Sequence, residues 1–271
     1  MMPMIEPLLH PFMQRAIIAG ILIAIICPLL GVFLVIKRLT MIGDTVAHIA
    51  LTGLAFASLL GLLKNIYLTY LITLPGTILI FKLTKSVRLS GEQSLAIILS
   101  AFAALTSIIV SLGGKLNFEA VLFGSILFLS WDDVYLLAIM TVGISLILMI
   151  RLKSFLLFVF DEESFRLTGQ KNEIYELTLS ICSSLIIVAS LTLMGVLLVA
   201  AMISIPVLSS MQIARSFSKT LLTSIIISEL AVLIGIFGSY YTGLAPGGLI
   251  VILLILAFTS SIILGKAGLK I

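Results

Sequence analysis

The chain has 271 residues, of which 61% are hydrophobic and only 10% charged, and its mean hydropathy is +1.32. A soluble domain carries about a quarter charged residues, so this composition excludes a soluble enzyme and indicates a lipid-embedded chain. The net charge of +4 and pI near 9.1 would suit a nucleic-acid partner only if the basic residues clustered, and they are spread through short loops instead.

In chain order, apolar runs long enough to cross a hydrocarbon core of about 30 Å lie near 12–36, 44–63, 65–82, 92–112, 132–151, 174–193, 195–213, 219–240 and 246–265. The expected fold is therefore an all-α polytopic transmembrane bundle of about eight or nine spans, forming a single domain over 1–271. The first run is too long for a cleavable signal peptide and lacks small-residue cleavage signals. The shorter apolar stretch 117–130 contains Gly124 and reads as a re-entrant or interfacial piece. Trp131 followed by Asp132 and Asp133 reads as an aromatic anchor with solvated acids. Cys27 and Cys182 lie in separate apolar runs without metal spacing, which is the pattern of packing residues.

The loop charges set the orientation. With the N-terminus outside, nine spans put Lys37, Arg38, Lys82, Lys85, Arg88, Arg151, Lys153, Arg166, Lys171, Arg215, Lys219, Lys266 and Lys270 inside. Only Arg15, Lys64 and Lys115 fall outside. That asymmetry predicts a multi-pass protein of the cytoplasmic (inner) membrane with a cytoplasmic C-terminus. It also gives the basic residues a topological role that needs the lipid bilayer and no nucleic acid.

Few ionisable groups fall within the spans, where they are costly and mark pathways or partners. Asp44 and His48 are one helical turn apart on one face, and Thr52 extends that stripe. A carboxylate and an imidazole so placed can share a divalent cation, with an oxygen-plus-nitrogen set suited to zinc, manganese or ferrous iron. The same residues also permit a structural role, in which Asp44 caps the helix and His48 bonds to a neighbouring span. Glu229 stands near the middle of the eighth span as a second candidate for the pathway, or else as a carboxyl hydrogen-bonded within the bundle. His10, before the first span, reads as an incidental exposed histidine.

Four ordered segments resemble the membrane-spanning permease subunits of zinc/manganese-type ABC importers. They are Val35–Asp44 continuing through Ala47-His48-Ile49-Ala50, then Phe160–Gly169, then Met194–Pro206, and finally Leu244–Gly248. The sequence departs from the family pattern at Val207-Leu208-Ser209-Ser210, where an Ala-rich continuation is common, and at Gly248. The resemblance implies an ATP-driven importer for zinc, manganese or iron in which two copies of this chain form the pathway. It implies metal roles for Asp44 and His48; Glu229 matches no family motif. The divalent ion would be the transported substrate, and no cofactor is expected. The implied partners are a cytoplasmic ATP-binding subunit, an extracytoplasmic metal-binding protein and a second copy of the chain. No Gly-x-x-x-x-Gly-Lys-Ser/Thr loop is present to cradle ATP, in keeping with what the resemblance implies: a permease subunit that is not itself an enzyme, with ATP hydrolysis expected on a separate chain.

The cytoplasmic loop near 154–173 is the expected ATPase-coupling segment, with Asp161, Glu162, Phe165, Arg166 and Gly169 as its candidate residues. An amphipathic helix lying on the bilayer would have the same pattern. A secondary transporter using Asp44, His48 and Glu229 as an ion or proton relay is the alternative from another class. An odd span count and no convincing internal repeat weigh against it.

Overall fold

A computed structural model describes residues 10–62, 66–86, 91–114, 124 and 129–268, and every regular element among them is helical. The helices are α1 Pro11–Ile36, α2 Ile42–Leu59, α3 Ile66–Ser86, α4 Gly91–Ser111 and α5 Trp131–Ile150. They continue as α6 Leu152–Phe160, α7 Glu162–Leu167, α8 Asn172–Met194, α9 Val196–Ile213, α10 Phe217–Thr242 and α11 Pro246–Lys266. Eight of these are long and apolar enough to span a bilayer, and α3 adds a shorter apolar stretch, Tyr67–Ile80. The expected spans are thus found where the apolar runs placed them. Of the stretch 117–130, only Gly124, Leu129 and Ser130 are among the described residues, so its re-entrant reading lies outside them.

Two helices form the centre. α1 packs on α5, α6, α8, α9 and α10, and α2 packs on α3, α4, α8 and α9. Their cores are dense: Ile23, Ile26, Phe33, Leu34, Ile42 and Ile49 are all fully buried. The outer helices instead expose large apolar side chains such as Ile139, Ile150, Ile234, Ile252 and Ile263, as a lipid-facing surface requires.

Local chemistry fixes the ends. Pro11 and Pro246 open α1 and α11, where a missing N–H is harmless. Ser130 caps α5 by accepting from the Asp133 N–H (3.2 Å), while the Asp133 carboxylate accepts from the Ser130 N–H (3.0 Å). Asp133 is therefore half of a capping box, beyond the solvated acid expected from sequence. α1 stops in a Schellman motif: the Leu39 N–H donates to the Leu34 carbonyl (2.9 Å) and the Arg38 N–H to that of Val35 (3.0 Å). Arg38 occupies the left-handed position (φ 59°) usually given to glycine.

Two glycines are structurally required. Gly195 (φ 81°, ψ 163°) joins α8 to α9 in a conformation essentially reserved for glycine, which lets a single residue reverse the chain. Gly31 lets α1 cross α9 closely, since a Cβ there would lie 2.0 Å from the Ile203 carbonyl oxygen.

The bundle has two distinct ends. Lys37, Glu162, Asn172 and Arg215 lie at one, near the ends of α1 and α9. His10, Tyr240, Gly124 and Pro246 lie at the other, around a cavity of about 560 Å³.

Candidate functional site

The paired groups sit on the first two turns of α2. Thr45 and Thr52, seven residues apart, turn towards α4. Thr45 Oγ1 donates to the carbonyls of Met41 (3.0 Å) and Leu95 (3.4 Å). Thr52 Oγ1 lies 3.0 Å from the Phe102 carbonyl and 2.8 Å from Thr106 Oγ1. These contacts fix the rotation of α2 and leave Asp44 exposed and His48 half-buried on the adjoining face. Thr52 is itself buried, so the stripe read from sequence divides: Thr52 clamps two helices, and the face beyond His48 does not include it.

The site lies deep within the bundle. A Cβ on Gly43 would meet Ala200 Cα at 3.1 Å, so the start of α2 is pressed against α9 at that level. From Ala200 to the α9 terminus at Ile213 is about 20 Å along the helix axis. Asp44 falls in the first turn of α2, where the positive end of the helix dipole favours a carboxylate. It does not cap the helix: the N-cap is Met41, and no side-chain cap bond forms. Asp44 and His48 interact electrostatically. Neither side chain is hydrogen-bonded to another described residue, so both keep free donor atoms for a cation.

No three His, Cys, Asp or Glu side chains come together as a metal-binding group among the described residues. Glu229 is half-exposed on α10, which packs on α1, α9 and α11. It does not join Asp44 and His48 within one protomer. His10 stacks on Phe12 (ring centroids 5.5 Å apart) at the opposite end.

The coupling candidates form a separate structure at the basic end. Asp161 ends α6 and caps α7, accepting from the Ser164 N–H (3.0 Å) and hydroxyl. Those bonds, the side-chain one foremost, hold the Asp161 carboxyl below the ordinary range. Glu162 accepts from Lys37 Nζ (3.1 Å), Arg166 (3.2 Å) and Asn172 Nδ2 (2.6 Å). Partial burial pushes its pKa up, but these donors and the Lys37 charge outweigh that effect and leave it lowered.

Phe165 is fully buried, with its ring edge-on to Tyr175 (4.8 Å) and Phe158 (5.5 Å). It anchors α7 to the bundle and presents no surface outward. Leu167, which is 88% exposed, and Phe160, which is 63% exposed, are the apolar side chains that project, alongside the exposed Arg166 and Gly169. Lys37, Asn172 and Tyr175 complete this region; the sequence marked Lys37 only as an inside basic residue within the first family-like segment, and did not mark the other two. Lys37 contacts a residue 125 positions away, a pairing that no local pattern encodes.

The model of the ABC 3 transport family matches residues 9–265. The chain belongs to that family. It is a multi-span membrane permease of an ABC transport system, as the ordered motifs implied. A probable metal transport system membrane protein of Treponema pallidum is 30% identical over 257 residues, covering 92% of this chain and 96% of that one. A manganese transport system membrane protein of Synechocystis is 26% identical, covering 96% and 85%. A probable iron transport system membrane protein of Haemophilus influenzae is 28% identical, covering 92% of each. Among solved structures, PsaBC from Streptococcus pneumoniae in complex with Fab superposes with a TM-score of 0.82 at 25% identity, covering 94% of this chain and 92% of that one. An inward-facing metal-chelate type ABC transporter shares the fold, with a TM-score of 0.69 at 17% identity, covering 94% and 89%.

Proposed function

We propose that this chain is the pathway-forming subunit of an ATP-driven importer for zinc, manganese or ferrous iron, acting as a homodimer in the cytoplasmic membrane. The observation that carries the reading is the exposed Asp44 beside the half-buried His48, deep in the bundle, with no side-chain hydrogen bond to another described residue. An ionisable pair facing hydrocarbon is costly, so this face of α2 belongs against protein or an aqueous path. A second copy related by a twofold axis meets that need and supplies a second Asp44 and His48. Four oxygen and nitrogen donors then converge, whereas one chain offers two, and divalent metals usually take at least four. The set lacks thiolates, which suits a site that must release its ion as well as accept it.

Energy would come from a separate cytoplasmic ATP-binding subunit docked on α7 and the end of α6, where Leu167, Arg166 and Phe160 project. An extracytoplasmic metal-binding protein would deliver the ion to the end carrying His10 and Tyr240. The basic end then faces the cytoplasm, in keeping with the loop charges. Membership of an ABC transport family weighs against the gradient-driven alternative, and the names of the relatives support a metal substrate.

The test is uptake of manganese, zinc and ferrous iron by cells expressing the chain with its genomic neighbours, at matched membrane levels of wild type and His48→Ala. Uptake of one metal that disappears in the variant supports the reading and names the cargo. Undiminished uptake in His48→Ala removes His48 from the pathway.

A further inference from the structure

The contact between Lys37 and Glu162 joins the two functional regions. Lys37 is the first residue after α1 and begins the turn into α2, seven positions before Asp44. Glu162 opens α7, the short helix from which Leu167 and Arg166 project. Lys37 Nζ lies 3.1 Å from Glu162 Oε2 and 3.8 Å from the centroid of the Phe158 ring, so one ammonium is held by a carboxylate and an aromatic face together. Its side chain is 18% exposed and that of Glu162 39%, so the pair is partly shielded from solvent, more so on the lysine side.

Both sides of this contact are stiff. On the α7 side, Phe165 is locked against Phe158 and Tyr175, and Asn172 and Arg166 hold the same carboxylate. On the α2 side, the Schellman motif ties Leu39 back to Leu34, and the Ile42 N–H donates to the Leu39 carbonyl (3.1 Å). Between Lys37 and Asp44 the turn is short and tied at both ends, by the Arg38 and Leu39 bonds back to α1 and by the Ile42 and Thr45 N–H bonds to the Leu39 and Met41 carbonyls. Tyr175 also meets Phe155 edge-on (4.9 Å), and Phe155 lies at a tilt to Phe33 of α1 (5.8 Å), so the aromatic layer reinforces the same link.

We propose that the Lys37–Glu162 ion pair, seated on Phe158, is a positioning latch that carries displacement of α7 into the α1–α2 turn and so to Asp44 and His48. This rests on the reading of α7 as the ATPase contact and of the Asp44/His48 pair as the metal path. Without the latch, α7 still docks through its exposed side chains, and ATP is hydrolysed without moving α2. The two residues act on the metal only through the elements they join.

The experiment uses the whole transporter, this chain with its ATP-binding and metal-binding partners, reconstituted in vesicles and supplied with manganese, zinc or ferrous iron. It reads metal moved per ATP hydrolysed, together with the amount of ATP-binding subunit that co-purifies. Lys37→Met and Glu162→Gln should each lower the ratio by roughly fivefold or more, with normal co-purification. Lys37→Arg, which keeps both the charge and the ring contact, should stay near wild type. The double variant Lys37→Met/Glu162→Gln should be no worse than the poorer single, because the pair acts as one unit.

A wild-type ratio in either single variant overturns the latch, as do losses that multiply in the double. Loss of the ATP-binding subunit from the single variants also overturns it, by making the pair a docking element. A wild-type complex that moves none of the three metals overturns the functional reading beneath it, a result distinct from any behaviour of the latch variants.

Discussion

Gly31→Ala is the sharpest test of the packing that positions the site. A Cβ at residue 31 would sit 2.0 Å from the Ile203 carbonyl oxygen, 3.0 Å from the Ile203 carbonyl carbon and 3.2 Å from Val207 Cγ2. A carbon and an oxygen rest at about 3.3 Å, so α1 and α9 would have to separate by more than an ångström. The obstacle is backbone, which has no rotamer to escape into. Overpacking of this kind costs about 1–3 kcal/mol and occasionally more, and the severity of the clash favours the upper end. For a chain of this size about 3 kcal/mol corresponds to a drop of roughly 6–12 °C in melting temperature.

The assay is thermal unfolding of the detergent-solubilised protein, with Gly143→Ala measured alongside. Gly143 lies inside α5 with open space where its Cβ would go, so that change should be neutral or stabilising by up to about 1 kcal/mol. If Gly31→Ala melts with wild type, the α1–α9 crossing is not as described. The account of how α9 sets the depth of Asp44 would then fail with it.

Four further outcomes are expected. Thr52→Val removes the hydroxyl that joins α2 to α4; by the usual worth of such bonds between membrane helices it should cost about 0.6–1.7 kcal/mol in thermal unfolding while metal uptake persists, and abolished uptake would return Thr52 to the pathway. Arg38→Gly relieves a left-handed position and should raise the melting temperature by a few degrees, reflecting about 1 kcal/mol; a lower melting temperature would show that the arginine side chain outweighs its backbone strain. Glu229→Gln should leave uptake within about twofold, since α10 packs on α1, α9 and α11 and Glu229 is not grouped with Asp44 and His48; a larger loss would place it in the pathway. Glu162 has a lowered pKa in the folded chain, so its contribution is present above its unfolded value and is lost as pH falls through the lower folded one. Metal moved per ATP should therefore not change through Glu162 between neutral pH and about pH 5, and a step in Glu162→Gln-sensitive coupling within that window would contradict the assigned direction.

Much of the architecture was legible because a bilayer imposes one length on every span. The apolar runs around 12–36 and 219–240 became α1 and α10 almost residue for residue. Rotation about a helix axis was harder to read. Asp44, His48 and Thr52 share a spacing that puts them on one face, yet the hydroxyl of Thr52 is engaged by α4 and only the first two remain available. Phe165 shows the same limit: it was a candidate for the ATPase contact, and the aromatic pocket of Phe158 and Tyr175 that buries it comes from two other helices. The Lys37–Glu162 pair was illegible for a further reason, because a basic residue after a span already has a sufficient explanation in membrane orientation.

The central claim is that two copies of the chain share one metal through Asp44 and His48. Metal stoichiometry combined with X-ray absorption on the purified, manganese- or zinc-loaded protein tests it most directly. The account predicts one ion per two chains, bound by nitrogen and oxygen without sulfur, and loss of the nitrogen donors in His48→Ala. One ion per chain, or a nitrogen shell that survives His48→Ala, would contradict it.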